Sequence, residues 1–237
     1  MPTKTKTQTA APELQESQAA KLPMSYDARI HSLRMNGSTR GNASVTVNGQ
    51  FGVRGVNVRE GPNGMFVSMP SWKDANNEYH DICFPCTKES RAEFDRAVLD
   101  AFDNARAGGF KNQSQAPAEQ LPTQYDIRIH SLFPGDGALK GTASVNLNEQ
   151  FAIRSVKIME SSKGLFVSTP GFKGGNGMFK DYCYPCTKEA RAEFNKAVID
   201  AYQQALTQSQ VAGPSRQAES HTPIEYGTPS MTPAMQM

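Results

Sequence analysis

Gly64-Met-Phe-Val-Ser-Met-Pro70 returns one hundred residues later as Gly164-Leu-Phe-Val-Ser-Thr-Pro170, and this recurrence decides the fold. Aligned without a gap, residues 41–102 and 141–202 are identical at 32 of 62 positions, which chance does not produce. The chain therefore carries a duplicated domain, and every other feature is read twice.

Working outward from the first copy, Gly61-Pro-Asn-Gly64 turns the chain into a strand that Pro70 ends. Upstream, Tyr26–Leu33, Ala43–Val47 and Phe51–Val58 alternate apolar and polar residues with a period of two, which predicts half-buried strands. Asn48-Gly49 between two such runs predicts a hairpin turn. Downstream, a polar loop over 71–78 leads to a short fifth segment over 79–84. Thr87 then reads as a helix N-cap, and Phe94, Ala97, Val98, Ala101 and Phe102 form the stripe of a helix with one buried face. Phe194, Ala197, Val198, Ala201 and Tyr202 repeat that stripe. The fold class is α+β: two tandem repeats, each an antiparallel β-sheet followed by a C-terminal α-helix. The expected boundaries are a disordered tail over 1–23, repeat 1 over 24–106, a linker over 107–122, repeat 2 over 123–206 and a second disordered tail over 207–237. The tails and linker hold too few large apolar side chains to offset the entropy of ordering them.

Charge narrows the function. The 237 residues carry a net charge of +2. Repeat 1 holds ten basic and ten acidic residues and repeat 2 holds ten and eight, so an anion-binding surface must come from placement and not from the sum. No run of about 18 apolar residues suggests a membrane span, and no apolar leader core stands at the N-terminus, so a cytoplasmic protein is expected.

Basic positions shared by the copies are Arg54/Arg154, Lys73/Lys173, Lys88/Lys188 and Arg91/Arg191. Lys73 follows Trp72 and Lys173 follows Phe172 in a polar loop, an arrangement in which the amine contacts phosphate and the ring stacks on a base. The plain alternative is a hydrated lysine beside a ring packed back on the sheet. Lys180 stands in copy 2 where copy 1 has His80. His31 and His130 recur within strands and read as ordinary half-buried side chains. Arg91 and Arg191 have acids close by along the helix to pair with.

Cys83-Phe-Pro-Cys86 and Cys183-Tyr-Pro-Cys186 precede the two helices, where a helix dipole would stabilise a thiolate. Three readings stand: a thiol redox site, a zinc site pooling four thiolates from both copies, or small buried hydrophobes filling the strand-to-helix corner. No Ser/His/Asp set, paired carboxylates or phosphate-cradling loop stands out, so no enzyme and no cofactor is expected.

The series Ala43-Ser-Val-Thr-Val47, Phe51, Val56-Asn-Val58, Gly64–Ser71, Asp81 and Pro85 resembles the SpoVG (stage V sporulation protein G, septation protein) family, and copy 2 carries the same series from Ala143 to Pro185. The resemblance implies a small bacterial domain, usually a homodimer, linked to septation, sporulation control and binding of DNA and RNA. Family members commonly carry two adjacent basic residues after the Met-Pro-Ser. Here Trp72 or Phe172 takes the first place and only Lys73 or Lys173 remains, while Phe84 or Tyr184 stands where the family usually has histidine. The cysteines lie outside the family pattern. Duplication of a dimeric unit predicts an intramolecular pseudo-dimer, because a linker of about 15 flexible residues spans roughly 20 Å and holds the partner at millimolar effective concentration.

Three functions follow. The first is a regulator that binds DNA or RNA through Lys73, Lys173, Trp72, Phe172, Lys180, Arg54, Arg154, Arg91 and Arg191. The second is a non-enzymatic septation adaptor that binds proteins through its tails, and the third a thiol or zinc protein built on Cys83, Cys86, Cys183 and Cys186.

Overall fold

The computed structural model describes residues 21–110, 119–175 and 177–211. Most of each expected tail and the middle of the linker lie outside that range.

Repeat 1 runs β1 (Tyr26–Leu33), β2 (Thr39–Val47), β3 (Phe51–Gly61), β4 (Gly64–Ser68), β5 (Ser71–Lys73), β6 (Tyr79–Asp81), β7 (Cys83–Pro85) and α1 (Lys88–Gly108). Repeat 2 reproduces it as β8 (Tyr125–Leu132), β9 (Leu139–Leu147), β10 (Phe151–Ser161), β11 (Gly164–Ser168), β12 (Gly171–Lys173), β13 (Phe179–Asp181), β14 (Cys183–Pro185) and α2 (Lys188–Val211). The two units are the tandem sheet-and-helix repeats that the sequence predicts. Three details differ from it. The polar loop contains a strand, β5, which pairs with β6 as a small separate hairpin. The single fifth segment is two strands, β6 and β7, that belong to different sheets. Both helices run past the repeat boundaries expected at 106 and 206, to Gly108 and Val211.

The sheets are completed by exchange. β7 leaves repeat 1 and pairs antiparallel with β10, Cys83 opposite Ile153 and Pro85 opposite Phe151. β14 pairs with β3 in the same register, Cys183 opposite Val53 and Pro185 opposite Phe51. Each long central strand is thus divided: its first three residues bind the other repeat's short strand, and its second half binds its own β4 or β11. The cross-strand pair Tyr184–Gly52 shows how closely the parts fit, since a Cβ at Gly52 would lie 2.6 Å from Tyr184 Cζ. The sister pair uses the smaller ring, Phe84 opposite Ala152.

Partly buried amide side chains stitch the same seam. Gln50 Nε2 donates to Leu121 O at 2.8 Å, and Gln150 Nε2 donates to Leu22 O at 2.7 Å. Residues 22 and 121, assigned from sequence to a tail and a linker, are held against the opposite repeat because buried amides need acceptors. The backbone amides of Cys86 and Cys186 donate to Gln150 O and Gln50 O, both at 2.7 Å.

One apolar core runs through both repeats. Phe51 lies edge-on to Phe194 at 5.5 Å and to Tyr125 at 6.1 Å, both in repeat 2. Phe94 meets Phe151 across the seam at 6.2 Å. α1 covers the sheet with Phe94, Val98, Phe102 and Ala105, and begins at a capping box between Thr87 and Ser90. Truncating Phe51 or Phe151 to alanine would cost about 3–5 kcal/mol, since either opens a cavity between the repeats.

This interlocking predicts that neither repeat is a stable monomer. Excised repeats should sediment as dimers, or combine with each other when mixed. Two separate folded monomers that do not associate would contradict the exchanged sheets.

A second expectation concerns Tyr125, whose buried hydroxyl has no hydrogen-bond partner among the described residues. Burial, assisted by the Glu193 carboxylate, pushes its phenol up to about 12. A raised phenol contributes stability that is complete below the unfolded value near pH 10 and is lost as pH climbs through about 12. Tyr125→Phe should therefore leave neutral-pH stability unchanged or raise it by up to about 1 kcal/mol, and should flatten the alkaline fall in denaturation midpoint.

Candidate nucleic-acid interface

The two small hairpins stand out from the sheets and carry the aromatic–lysine pairs. In β5, Trp72 remains 41% exposed, and its ring tilts over His80 on β6 at 5.1 Å. Lys73 Nζ lies 5.5 Å from the exposed Tyr79 ring. In the sister hairpin, Phe172 tilts against Tyr182 at 4.6 Å, and Lys173 and Lys180 are exposed. Trp72 therefore offers a ring to solvent, whereas Phe172 is half-buried.

Asp74 fixes the first hairpin. Its Oδ1 accepts from the amides of Asn76 and Glu78, and Oδ2 meets His80 Nε2 at 2.9 Å. The hydrogen bond with His80, followed by that from the Glu78 amide, holds this carboxyl below the usual range. Asp74, Glu78 and His80 form the group of potential metal ligands found among the described residues. Their mutual hydrogen bonds are those of a closed turn, and copy 2 replaces all three with Gly174, Met178 and Lys180.

The exchanged strands bring one arginine of each repeat to the other's hairpin. Arg54 Cζ sits 4.0 Å above the Tyr184 ring, and its Nη1 donates to Asp181 O at 3.3 Å, at the foot of β13. Arg154 Cζ stacks 4.5 Å from Phe84. Arg54 thus joins the Phe172–Lys173–Lys180 group, while Arg154 joins the strand that follows the Trp72–Lys73 group. Arg91 does not gather with them. Its Nη2 donates to Val67 O at 2.6 Å and its Nε to Asp95 Oδ2 at 2.9 Å, so it ties the helix to β4. Arg191 begins the exposed flank of α2.

The cysteines divide into two kinds. Cys83 and Cys183 are fully buried, and Cys86 and Cys186 are exposed. The Cys83 thiol hydrogen-bonded to it, and then burial, hold the Cys183 thiol well above the ordinary value. Partial desolvation of their sulfurs, at residues otherwise open to solvent, also pushes Cys86 and Cys186 up. These raised thiols give no support to the thiolate expected at the helix start. The four sulfurs do not gather into a metal-binding group among the described residues, so pooled zinc ligation is not supported either.

His31 and His130 are exposed and not half-buried, and each shares a hydrogen bond with the serine opposite, Ser44 at 2.8 Å and Ser144 at 2.9 Å. They belong to the open face of each sheet, together with Arg128 and Lys157. The signal was in the alternation: in Tyr125-Asp-Ile-Arg-Ile-His130 the apolar residues face the core, so Asp126, Arg128 and His130 must face outward.

A SpoVG family model matches residues 24–104 and again 123–204. The chain belongs to the SpoVG family. It is 41% identical over 103 residues to a Symbiobacterium thermophilum protein, covering 42% of this chain and 72% of that one. It is 34% identical over 88 residues to a Clostridium beijerinckii protein, covering 37% of this chain and 96% of the relative. A Desulforudis audaxviator protein is 38% identical over 78 residues, covering 33% of this chain and 88% of its own length. The names of all three assign them to septation protein SpoVG. The last two align over one repeat's length, so this SpoVG chain joins in one polypeptide what those relatives carry once. No helix among the described residues is long and apolar enough to cross a membrane.

One backbone feature re-aims the arginines. β10 bulges between Ile153 and Val156, and Ser155 there adopts φ +59°. Copy 1 places Gly55 at this point with φ +77°. The bulge turns Arg154 and Ser155 outward together. Ser155→Gly should stabilise the fold by about 1 kcal/mol, read as a higher denaturant midpoint with unchanged slope, because glycine takes a positive φ without penalty.

Proposed function

We propose that this chain is a non-enzymatic regulator, linked like its named relatives to septation, that acts by binding RNA or DNA. The observation that carries this reading is the repeated hairpin, in which an exposed lysine stands across the strands from an exposed aromatic ring, Lys73 opposite Tyr79 and Lys173 opposite Phe179, with the Trp72 ring open on the other face of the first hairpin. A ring beside an amine matches a base beside its phosphate, and stacking on a ring contributes about 1–3 kcal/mol per base whatever the sequence. Arg54 adds a fixed positive charge at the foot of the second hairpin. With a net charge of only +2, such binding rests on local clusters and should weaken steeply with salt. Arg91 is spent on Val67 O and Asp95, so its role is to brace the helix.

Titration of single-stranded RNA and duplex DNA at two salt concentrations tests the proposal. Binding at low salt should weaken several-fold in the Lys73→Ala, Lys173→Ala double variant, and Trp72→Ala should lose about tenfold or more. Absence of binding at low salt would remove the proposed activity. In that case the exposed Phe66, Phe166 and Phe179 favour the adaptor reading, to be tested by recovery of protein partners after nuclease treatment.

A further inference from the structure

The outer face of the second sheet forms a trough that the hairpins do not contribute to. Its floor is β9, between β8 and β10, which presents Thr142 and Ser144 outward. Arg128 and His130 on β8 line one wall, and Arg154 and Lys157 on β10 line the other. The trough encloses about 570 Å³. It leads into a smaller hollow of about 180 Å³ beside Phe84, the ring that repeat 1 contributes through its exchanged strand.

Its charges are largely uncommitted. Among the described residues neither Arg154 nor Lys157 has a carboxylate ion pair, and Arg128 has Asp126 at 3.5 Å with most of its own surface open. Neighbouring strands lie about 4.8 Å apart, so the walls on β8 and β10 stand about 10 Å from each other. That gap admits one phosphodiester backbone between two cationic rows, with serine and threonine hydroxyls beneath it to donate to phosphate. A duplex is too wide to enter and would touch only the rims.

The same face of repeat 1 keeps Arg29, His31, Ser44 and Arg54 but differs at two positions. Asn42 and Asn57 stand where Thr142 and Lys157 stand in repeat 2, and the Asn42 side-chain amide donates to Asn57 Oδ1 across the strands. Asn57 Nδ2 in turn donates to Gly55 O at 3.0 Å. An internal amide bridge thus replaces an exposed amine and a hydroxyl, and both groups turn toward each other.

We infer that the trough over β8, β9 and β10 is a single-strand-specific site that holds the phosphate backbone of RNA or DNA, and that repeat 1, with Asn57 in place of Lys157, holds it more weakly. The inference rests on the nucleic-acid reading above and deepens it. Lys157, Arg154 and Arg128 hold the phosphates, with the Arg154 guanidinium backed by the Phe84 ring.

Copying the bridge of repeat 1 into repeat 2 tests this without asking the sheet to accept a foreign pair. The full-length Thr142→Asn, Lys157→Asn variant is compared with the parent by fluorescence anisotropy on labelled oligouridylate, with duplex DNA and inorganic phosphate as competitors. Melting curves first confirm that the variant is folded. The expected result is a several-fold loss of oligouridylate affinity at low salt and a log–log salt slope shallower by about 0.7, the value for one phosphate contact on a single strand. The reciprocal Asn42→Thr, Asn57→Lys variant should gain affinity. Unchanged affinity and slope in a folded Thr142→Asn, Lys157→Asn protein would overturn the trough. If Lys73→Ala with Lys173→Ala still weakened binding, the proposed function would survive that result. Duplex DNA competing as well as the single strand, or phosphate displacing it at equal concentration, would also overturn the inference. A parent protein that binds no nucleic acid would end both readings.

Discussion

Everything in this structure depends on two three-residue strands lying in the wrong sheets. Cys83–Pro85 and Cys183–Pro185 are too short to hold a sheet by their own hydrogen bonds, yet each completes the central strand of the opposite repeat. Their side chains explain why they stay. Cys83 and Cys183 are fully buried, Pro85 and Pro185 face Phe151 and Phe51, and the next residue's amide is received by Gln150 O or Gln50 O. Once these strands cross, Phe51 is committed to the Phe194 helix and Phe151 to the Phe94 helix. Two modest domains then share one core large enough to bury all four rings, where a domain of about 80 residues alone would be marginal.

Exchange also assembles the surface. Each crossing strand carries an aromatic residue, Phe84 or Tyr184, on which an arginine of the other repeat rests. Stacking on a ring keeps a guanidinium flat and limits its loss of freedom on binding, while leaving its charge in place. The bulge at Gly55 and Ser155 sets the same arginines outward. Core, seam and exposed charge are therefore consequences of one register.

Much of this was legible in the sequence, and what was missed has physical reasons. The long strands and both helices announce themselves through periods of two and of about four, because one face of each is buried. The duplication is read directly from the repeated Phe-Val-Ser. Three-residue strands show no period, so β5 reads as loop and β6 and β7 as one segment. Strand exchange leaves no local trace either, since β7 would show the same residues in either sheet. The hairpin residues Trp72 and Lys73 were legible as an exposed pair. Arg91 was misleading, because its partner Val67 O is a backbone acceptor far away in sequence. The outward rank of Arg128 and His130 is present in the alternation of β8.

The covalent link between repeats changes what substitution can do. When two identical chains associate, any change appears on both sides of the axis at once, and a residue that suits one face is forced on the other. Here Asn57 and Lys157, Gly55 and Ser155, Asp74 and Gly174 occupy matching positions with different chemistry. Fusion has released the halves from enforced symmetry, so that one side can specialise while its twin keeps the scaffold sound.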